Sequence, residues 1–252
     1  MSKISVIIPY FRKKNYIKKT LLSVLNQSFK KFEVLVIYDD DEQVDLEFLR
    51  KLIKIDKRIK LIINKKNLGA GQSRNIGIAK AKGEYISFCD ADDIWKKNKL
   101  KLQYKFMKKN KYLISHTAYE IANETKILEF RQARDFFSLT DLIYSCDIGL
   151  STVMIKKSLF KKGLKFPKLK TKEDFVLWLS FLKKGFKIYS LKINLTRWNN
   201  TKNSLSSSVF QKLTDSLRVY HDYMGYNLIK SIYFTLILSI NFLKKKVFKI
   251  NE

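Results

Sequence analysis

Three aspartates, Asp90, Asp92 and Asp93, directly follow an apolar run at residues 85–89. Carboxylates placed this closely repel one another unless a cation or hydrogen-bond donors offset their charge. Mg²⁺ and Mn²⁺ prefer oxygen ligands and often complete their shell with water and the phosphates of a substrate. The cluster predicts a site for a divalent cation and a diphosphate ligand. An aspartate-rich turn that only caps the following helix would give the same local pattern.

A second acidic pair, Glu173 and Asp174, precedes an apolar run at residues 175–179. A carboxylate at this point could accept the proton of an attacking hydroxyl group. The same two acids would also interact favourably with the dipole at the start of a helix. The local sequence therefore leaves two roles open, a general base and a helix cap.

Arg74 lies near the start of a predicted helix at residues 72–81. Its guanidinium could bind phosphate oxygens through charge-assisted hydrogen bonds, and a solvated surface arginine is the alternative. Gly69 and Gly71 come just before it, but the third glycine of a dinucleotide-binding loop is missing. We interpret this segment as a flexible turn that lets the backbone approach a ligand.

The first half of the chain alternates short apolar strands with amphipathic helices, which would position these side chains. The strands are predicted at residues 4–9, 33–38, 59–63 and 85–89, and the helices at residues 16–26, 44–55 and 72–81. This alternation is typical of an α/β fold with a doubly wound, mostly parallel sheet and flanking helices. Ligands of such sheets bind beyond the carboxyl ends of the strands. The residues that follow the first two strands are therefore expected in the same cleft as the three aspartates: Tyr10, Arg12, Asp39 and Asp40.

Taken together and in this order, the motif segments resemble family 2 glycosyltransferases of the GT-A fold. The segments are residues 5–10, 33–40, 67–77, 83–93 and 173–178, and the resemblance extends from residue 4 to about residue 200. It implies a metal-dependent enzyme that transfers a sugar, with inversion, from a nucleotide diphosphate to a hydroxyl group. A UDP-sugar is the usual donor, and a glycan or lipid-linked acceptor in surface polysaccharide biosynthesis is implied.

The resemblance also implies a role for each matching residue. Asp92 would bind Mg²⁺ or Mn²⁺, and Asp174 would be the general base beside Glu173. The nucleotide would contact Pro9, Tyr10, one of Asp39 and Asp40, Arg74 and Asp90. Arg12 is added to this set because it follows the first strand. The acceptor would meet Ser151, Thr152, Arg197 and Trp198, with Asn203 and Ser204 as further candidates.

One departure concerns the segment after the second strand, where many members of the family read Asp-Asp-Gly-Ser. This chain has Tyr38, Asp39, Asp40 and Asp41 at that place. The sequence therefore leaves open which of Asp39 and Asp40 faces the base.

The second half of the chain has a less regular pattern, with helices predicted at residues 99–110 and 173–184. We interpret it as built around acceptor contacts rather than around the sheet. A boundary near residue 100 would divide a nucleotide-sugar-binding half, residues 1–100, from an acceptor-binding half with the catalytic base, residues 101–215. Residues 216–252 would form a helical tail.

The tail is apolar and aromatic from residue 228, and it ends with lysines at positions 244–246. Its uncharged stretch is shorter than the ~20 residues that cross a bilayer. Two interpretations remain: an amphipathic helix that lies on an anionic membrane surface, or a closing helix that packs on the catalytic domain.

The chain has 252 residues and a formal net charge of +28. Such an excess favours polyanions, but a genome rich in A and T would also produce it without selection for binding. No nucleic-acid module accompanies the charge, so nucleic acid is not an expected partner. The two cysteines form no CxxC motif, and no secretory leader is recognisable. We therefore expect a cytoplasmic location, with the inner face of the plasma membrane included.

Two other functions fit parts of the sequence. A nucleotidyltransferase would share the sheet and the metal, but its glycine-rich loop after the first strand is replaced here by residues 9–14, which contain no glycine. A catalytically weak nucleotide- or membrane-binding subunit of a polysaccharide assembly would keep the acidic motifs without turnover. His116 and His221 have no partners at metal-ligand spacing and are expected to be structural or exposed.

Overall fold

The computed structural model describes residues 2–123, 125–200 and 208–247. Its strands are β1 (Ile4–Tyr10), β2 (Phe32–Tyr38), β3 (Ile59–Ile63), β4 (Tyr85–Phe88), β5 (Ile94–Trp95), β6 (Ile114–Ala122), β7 (Ile127–Arg131), β8 (Met154–Lys156) and β9 (Tyr189–Asn199). Its α-helices are α1 (Lys14–Leu25), α2 (Gln43–Leu52), α3 (Ala70–Lys80), α4 (Lys99–Asn110), α5 (Leu139–Leu142), α6 (Glu173–Lys183), α7 (Val209–Arg218) and α8 (Leu228–Val247). The candidate residues Asn203 and Ser204, and the tail beyond residue 247, lie outside the described residues.

One mixed sheet runs through the described chain in the order β3-β2-β1-β4-β8-β6-β9-β5, and β7 pairs with β6. The strands β3, β2, β1 and β4 are parallel, as the alternating pattern predicts. Strand β8 then runs antiparallel to β4, and β6 runs antiparallel to β8. The second half therefore extends the sheet, and the interpretation that it is not built around the sheet is wrong. Its strand β6 begins with buried polar residues, Ser115, His116 and Thr117, which hide the apolar signal of a core strand.

Strand β1 sends alternate side chains into two separate apolar cores, as the two-residue period of a strand requires. Val6 and Ile8 pack with α1 and α2 on one face. Ile7 packs on the other face, in the cluster that includes Trp178 of α6. Helix α3 lies so close to β1 that a Cβ atom at Gly77 would stand 2.6 Å from Cγ2 of Ile7. Helices therefore cover both faces of the parallel strands and leave their carboxyl ends accessible.

The register of the parallel strands brings those ends to one edge of the sheet. Tyr10 at the end of β1 is level with Tyr38 at the end of β2, and β4 pairs with β1 on its other side. The chain turns away in opposite directions from β1, toward β2 on one side and β4 on the other, which is where ligands of open α/β sheets bind. Residues 10–12, 39–41 and 89–93 therefore meet at one edge.

The C-terminal helix α8 packs on the domain through one face. Phe234 and Leu238 are buried there, and the Phe234 ring stacks 5.2 Å from the ring of Tyr220. The opposite face carries exposed apolar side chains. None of the described helices is long and apolar enough to cross a bilayer.

Candidate active site

Asp39 follows β2 and is buried, and both of its carboxylate oxygens accept hydrogen bonds. Oδ1 accepts from Nδ2 of Asn64 at 2.7 Å and from the backbone N–H of Leu68 at 2.8 Å. Oδ2 accepts from the backbone N–H of Gly69 at 2.8 Å. The turn before α3 thus holds a carboxylate of the protein, and Gly69 has the positive φ of 83° that this turn requires. Asp39 fixes the loop between β3 and α3.

Asp40 holds the loop after β1 in the same way. Its Oδ2 accepts from the backbone N–H of Arg12 at 3.0 Å, and its side chain is fully buried. Arg12 adopts a left-handed backbone with φ of 50°, and its own side chain is 68% exposed. The two neighbouring aspartates therefore point to different loops, with Asp39 toward α3 and Asp40 toward residues 11–13.

Tyr10 is fully buried beneath this edge, whereas Pro9 is partly accessible. The Tyr10 hydroxyl donates to Oδ2 of Asp45 at 2.5 Å, and its ring stacks 5.7 Å from Tyr38. Burial, followed by the hydrogen bond and charge of Asp45, raises the pKa of Tyr10 well above its usual value. Tyr10 therefore lies beneath this edge of the sheet and stabilises the residues that form its surface.

Of the three aspartates after β4, Asp90 and Asp92 are partly accessible, whereas Asp93 is buried. The Oδ2 of Asp93 accepts from Oγ of Ser151 at 2.5 Å while its Oδ1 accepts from the backbone N–H of Asn199 at 3.1 Å. Burial, and then the charges of Asp90 and Asp92, raise the pKa of Asp93 well above its usual range. The charges of the three aspartates therefore act on one another within this turn.

A cation already lies beside this turn, because Nζ of Lys13 is 2.7 Å from Oδ2 of Asp92. Within the ranges that the structure describes, no three His, Cys, Asp or Glu side chains are grouped closely enough to hold a metal by themselves. A Mg²⁺ or Mn²⁺ ion that takes one or two carboxylates and completes its shell with substrate phosphates and water fits this arrangement. Asp92 is the residue that would hold it.

Arg74 connects the aspartate turn with the second acidic pair. Its Nη2 donates to Oδ1 of Asp90 at 2.7 Å, and its Nη1 donates to Oε1 of Glu173 at 2.6 Å. The side chain is only 4% exposed and its charge lies 5.5 Å from the ring of Phe166. Burial alone would lower the pKa of Arg74, but the charges of Asp90 and Glu173 outweigh it and raise that pKa. The guanidinium is therefore a fixed cation between two carboxylates.

Glu173 and Asp174 open α6 directly after Lys172, whose φ is 66°. Burial raises the pKa of Glu173 to about 7, with the Arg74 charge acting against this rise and the Asp174 charge adding to it. Asp174 is partly accessible, yet the protein surrounds its carboxyl group closely enough that burial raises its pKa too. A carboxylate with a raised pKa is a stronger base, which is what proton abstraction from a hydroxyl requires.

The four residues predicted to meet the acceptor lie near the aspartate turn, but three of them are engaged with the protein. Ser151 bonds to Asp93, and Oγ1 of Thr152 donates to the backbone oxygen of Gly149 at 2.6 Å. Arg197 donates from Nε to Glu120 at 2.7 Å. Trp198 is 36% exposed on β9. The structure brings these residues to the site without showing an acceptor contact for them.

A comparison with protein families supports the geometry. The model described as glycosyl transferase family 2 matches residues 5–163, which is more than half of the chain. This chain belongs to glycosyl transferase family 2. The matched range contains the loops after β1, β2 and β4 and the arginine of α3, all of which meet at the site.

Two relatives of this family 2 glycosyltransferase match over nearly the whole length of both chains. A putative teichuronic acid biosynthesis glycosyltransferase of Bacillus subtilis is 31% identical, and the match covers 97% of each chain. A UDP-Glc:alpha-D-GlcNAc-diphosphoundecaprenol beta-1,3-glucosyltransferase of Escherichia coli is 32% identical over 97% of this chain and 95% of its own. The similarity thus includes the second half of the sheet and the acidic pair at the start of α6.

Among solved structures, residues 1–349 of TarS from S. aureus, in complex with UDP-GlcNAc, have a similar fold. The TM-score is 0.71 at 22% identity, with 91% of this chain and 69% of that chain covered. The curled α/β sheet with its flanking helices is therefore the GT-A fold, as the motifs predict.

Sequence reasoning assigned no role to two residues at the aspartate turn. Lys13 pairs with Asp92, and the backbone N–H of Asn199 donates to Asp93. The basic run at residues 12–14 after β1 was a signal for Lys13. Asn199 reaches the turn only because β9 pairs with β5, which no local pattern predicts.

Proposed function

We propose that this glycosyltransferase moves a sugar from a UDP-sugar to a hydroxyl group of a lipid-linked or glycan acceptor, with inversion, in the biosynthesis of a surface polysaccharide. The names of the relatives support the acceptor and the pathway class, and the ligand of the TarS complex supports the donor class. Residues 1–100 would hold the donor, and residues 101–215 would hold the acceptor and the base.

The observation that carries this proposal is that Arg74 forms two ion pairs. It joins Asp90, on the donor side, to Glu173, next to the candidate base Asp174. These residues are far apart in the sequence, yet one buried guanidinium holds them together. A diphosphate leaving group at the aspartate turn and an attacking hydroxyl at α6 would thereby share one cleft.

In the proposed mechanism, Asp174 accepts the proton of the acceptor hydroxyl as its oxygen attacks the anomeric carbon. The loops of Pro9, Tyr10 and Arg12 and of Asp39 and Asp40 form the nucleotide pocket. Arg12 is the exposed cation of this pocket, and Arg74 positions Asp90 and Glu173. A divalent ion held by Asp92 would supply charge compensation for the departing diphosphate. Displacement with a single base inverts the anomeric configuration.

Metal dependence gives the first test. We expect Mn²⁺ or Mg²⁺ to increase UDP affinity, and Asp92→Asn to weaken this metal-dependent increase at least about tenfold, since even loss of an outer-shell partner costs a metal site 10–100-fold. Titration calorimetry with UDP, with and without EDTA, measures the effect. Asp56→Asn, which removes a carboxylate paired with Arg58 far from the site, is the control. UDP affinity that is unchanged by EDTA would overturn the metal assignment.

A catalytically weak subunit is the alternative, and a turnover assay separates it from an enzyme. The enzyme should release UDP from a UDP-sugar in the presence of metal, and a lipid-linked acceptor should accelerate the release. Diphosphate binding without release, for every donor and acceptor tried, would favour the binding subunit.

We further propose that the enzyme works at the inner face of the plasma membrane, held there by an apolar surface formed by α7 and α8. The two helices contact each other, and the charge of Lys212 on α7 lies 5.7 Å from the ring of Phe242 on α8. The apolar surface therefore extends over both helices. Exposed lysines, Lys230 and Lys244, border it and complement anionic lipid headgroups. Its exposed apolar members are Val209, Phe210, Leu213, Ile229, Ile232, Tyr233, Leu236, Ile240 and Leu243.

The membrane proposal predicts that Phe210→Glu with Ile229→Glu weakens binding to phosphatidylglycerol vesicles at least about tenfold. Each side chain is more than 80% exposed, at 81% and 82%, so the fold does not depend on either. Burying one such side chain in an apolar phase contributes about 1.5–3 kcal/mol, and a carboxylate would also be repelled by anionic lipid. Vesicle sedimentation measures the partition, with Val44→Glu as a control at a 59% exposed apolar residue on α2. Equal binding of wild type and double variant would exclude this surface.

A further inference from the structure

A cavity of about 300 Å³ lies apart from the nucleotide site, between the β6–β7 hairpin, the segment at residues 146–147 and the end of α8. None of the residues assigned to the nucleotide or the metal lines it. Its walls include Tyr119, Phe130, Arg131, Arg134, Cys146 and Lys245. The function proposed above gives this cavity no role.

The charges that line the cavity favour an anion. Three cations, Arg131, Arg134 and Lys245, face two carboxylates, Glu129 and Asp147. Asp147 is shared, because both Arg134 and Lys245 pair with it. His116 adds no positive charge at neutral pH, since burial lowers its pKa to about 4. The lining therefore carries one positive charge in excess.

Arg131 is the cation best placed to meet a ligand. Its side chain is 25% exposed, and Nε pairs with Glu129. Within the described part of the chain, its guanidinium has no ion-pair partner besides Glu129. A guanidinium presents five N–H donors in a planar fork that matches two oxygens of a phosphate. The remaining donors of Arg131 could therefore bind a phosphate while the ion pair with Glu129 persists.

The cavity wall is connected to the start of α6 by packing. Cys146 packs against the apolar cluster that includes Phe175, the residue after Asp174. Burial raises the pKa of Cys146 to about 12, and the charge of Asp174 adds to this rise. A group bound in this cavity could thus present a neighbouring hydroxyl to Asp174.

The end of α8 forms part of the cavity wall through Lys245. Asn241 donates from Nδ2 to the backbone oxygen of Tyr144 at 3.0 Å, and Lys245 pairs with Asp147. These two contacts fix the end of α8 against the cavity wall. The exposed side chains Ile240 and Leu243 lie on this same end of the helix. A ligand that is polar at one end and apolar at the other fits this arrangement.

We propose that this cavity binds the phosphate or diphosphate that joins the acceptor sugar to its lipid, with Arg131 as its main cationic contact. The inference rests on the proposed transferase function and names the part of the acceptor that is recognised. The lipid chain of the bound acceptor would extend along α8 toward the membrane, and its sugar would lie toward Asp174. Arg131 would select acceptors that carry a phosphate.

Binding of farnesyl diphosphate, with farnesol as its phosphate-free counterpart, tests the proposal. Saturating UDP fills the nucleotide site and EDTA removes metal, so the probe cannot bind there as a diphosphate. We expect wild type to prefer farnesyl diphosphate, and Arg131→Gln to weaken its binding about tenfold or more, the usual effect of losing a charge-assisted hydrogen bond. Arg131→Lys should restore part of the affinity.

Arg58→Gln is the matched control, because Arg58 has a 23% exposed side chain that is paired with Asp56. It should leave both farnesyl diphosphate binding and UDP-sugar hydrolysis unchanged. Equal affinity of wild type for farnesol and farnesyl diphosphate, or an Arg131→Gln variant that binds the diphosphate normally, would overturn the proposal. If Arg131→Gln loses the diphosphate but no acceptor ever receives a sugar, the transferase function fails while the phosphate site stands.

Discussion

Replacing Asp174 with Asn is expected to reduce the rate of sugar transfer by about 10³-fold, within the 10²–10⁴-fold range of a positioned general base. The amide keeps the shape of the carboxylate but cannot accept the proton of the attacking hydroxyl. The donor should bind normally, because the guanidinium of Arg74 forms its ion pairs with Asp90 and Glu173 and would keep both. Steady-state transfer kinetics together with UDP-sugar titrations separate the two effects.

Glu173→Gln is the matched comparison for Asp174→Asn, since it makes the same chemical change at the neighbouring residue. The oxygen of the new side-chain amide would still accept a hydrogen bond from Arg74, so we expect a smaller loss of transfer. A larger loss for Glu173→Gln than for Asp174→Asn would reverse the assignment of the base. Equal transfer by Asp174→Asn and wild type would remove α6 from the chemistry.

The parallel half of the sheet was predictable because its strands are buried on both faces. Apart from Ser5 and Glu33 near their starts, strands β1 and β2 are apolar runs, a pattern typical of strands buried on both faces. Strand β6 is also buried, but it satisfies its polar side chains with partners distant in sequence, such as the contact of Ser115 with Gln103. Such partners are unknown until the fold is known, so β6 carries no recognisable period.

The meeting of the loops after β1, β2 and β4 was predictable for a related reason. Parallel neighbours in a sheet end at the same edge, so Asp40 and Asp90 must approach each other once the strands are assigned. The partners of each carboxylate were not predictable. Asp39 binds the amides of Leu68 and Gly69, and only the path of the loop between β3 and α3 decides this.

The contact between Arg74 and Glu173 was also not predictable from the sequence. The two residues are 99 positions apart, and they meet because the start of α6 lies against the first turn of α3. A Cβ atom at Gly71 would stand 3.1 Å from Cγ of Glu173, so the small residue in α3 permits this approach. The sequence predicts that Arg74 approaches the nucleotide or its diphosphate. The structure shows that both arms of its guanidinium pair with carboxylates of the protein, so Arg74 links the aspartate turn to α6.

This link predicts the largest effect on stability. Arg74→Met should lower the free energy of unfolding by about 3–5 kcal/mol, because removing one partner of a buried ion pair leaves uncompensated charge. For a chain of this size we expect a fall in Tm of roughly 10 °C, at 2–4 °C for each kcal/mol. Thermal melts followed by circular dichroism measure the shift. Arg58→Met removes a more accessible ion pair and should cost only about 1 kcal/mol or less.

The pH dependence of the Arg74→Met variant distinguishes loss of charge compensation from loss of packing. Burial raises the pKa of Glu173 to about 7, so below that pH the carboxyl is protonated and needs no cation. The destabilisation should therefore be smaller at pH 6 than at pH 8, and adding Glu173→Gln should recover part of the lost stability at pH 8. A deficit that is the same at both pH values would mean that Arg74 stabilises the fold through its contacts with Asp90 and Phe166 rather than through Glu173. In that case the electrostatic link between the aspartate turn and α6 would have to be given up.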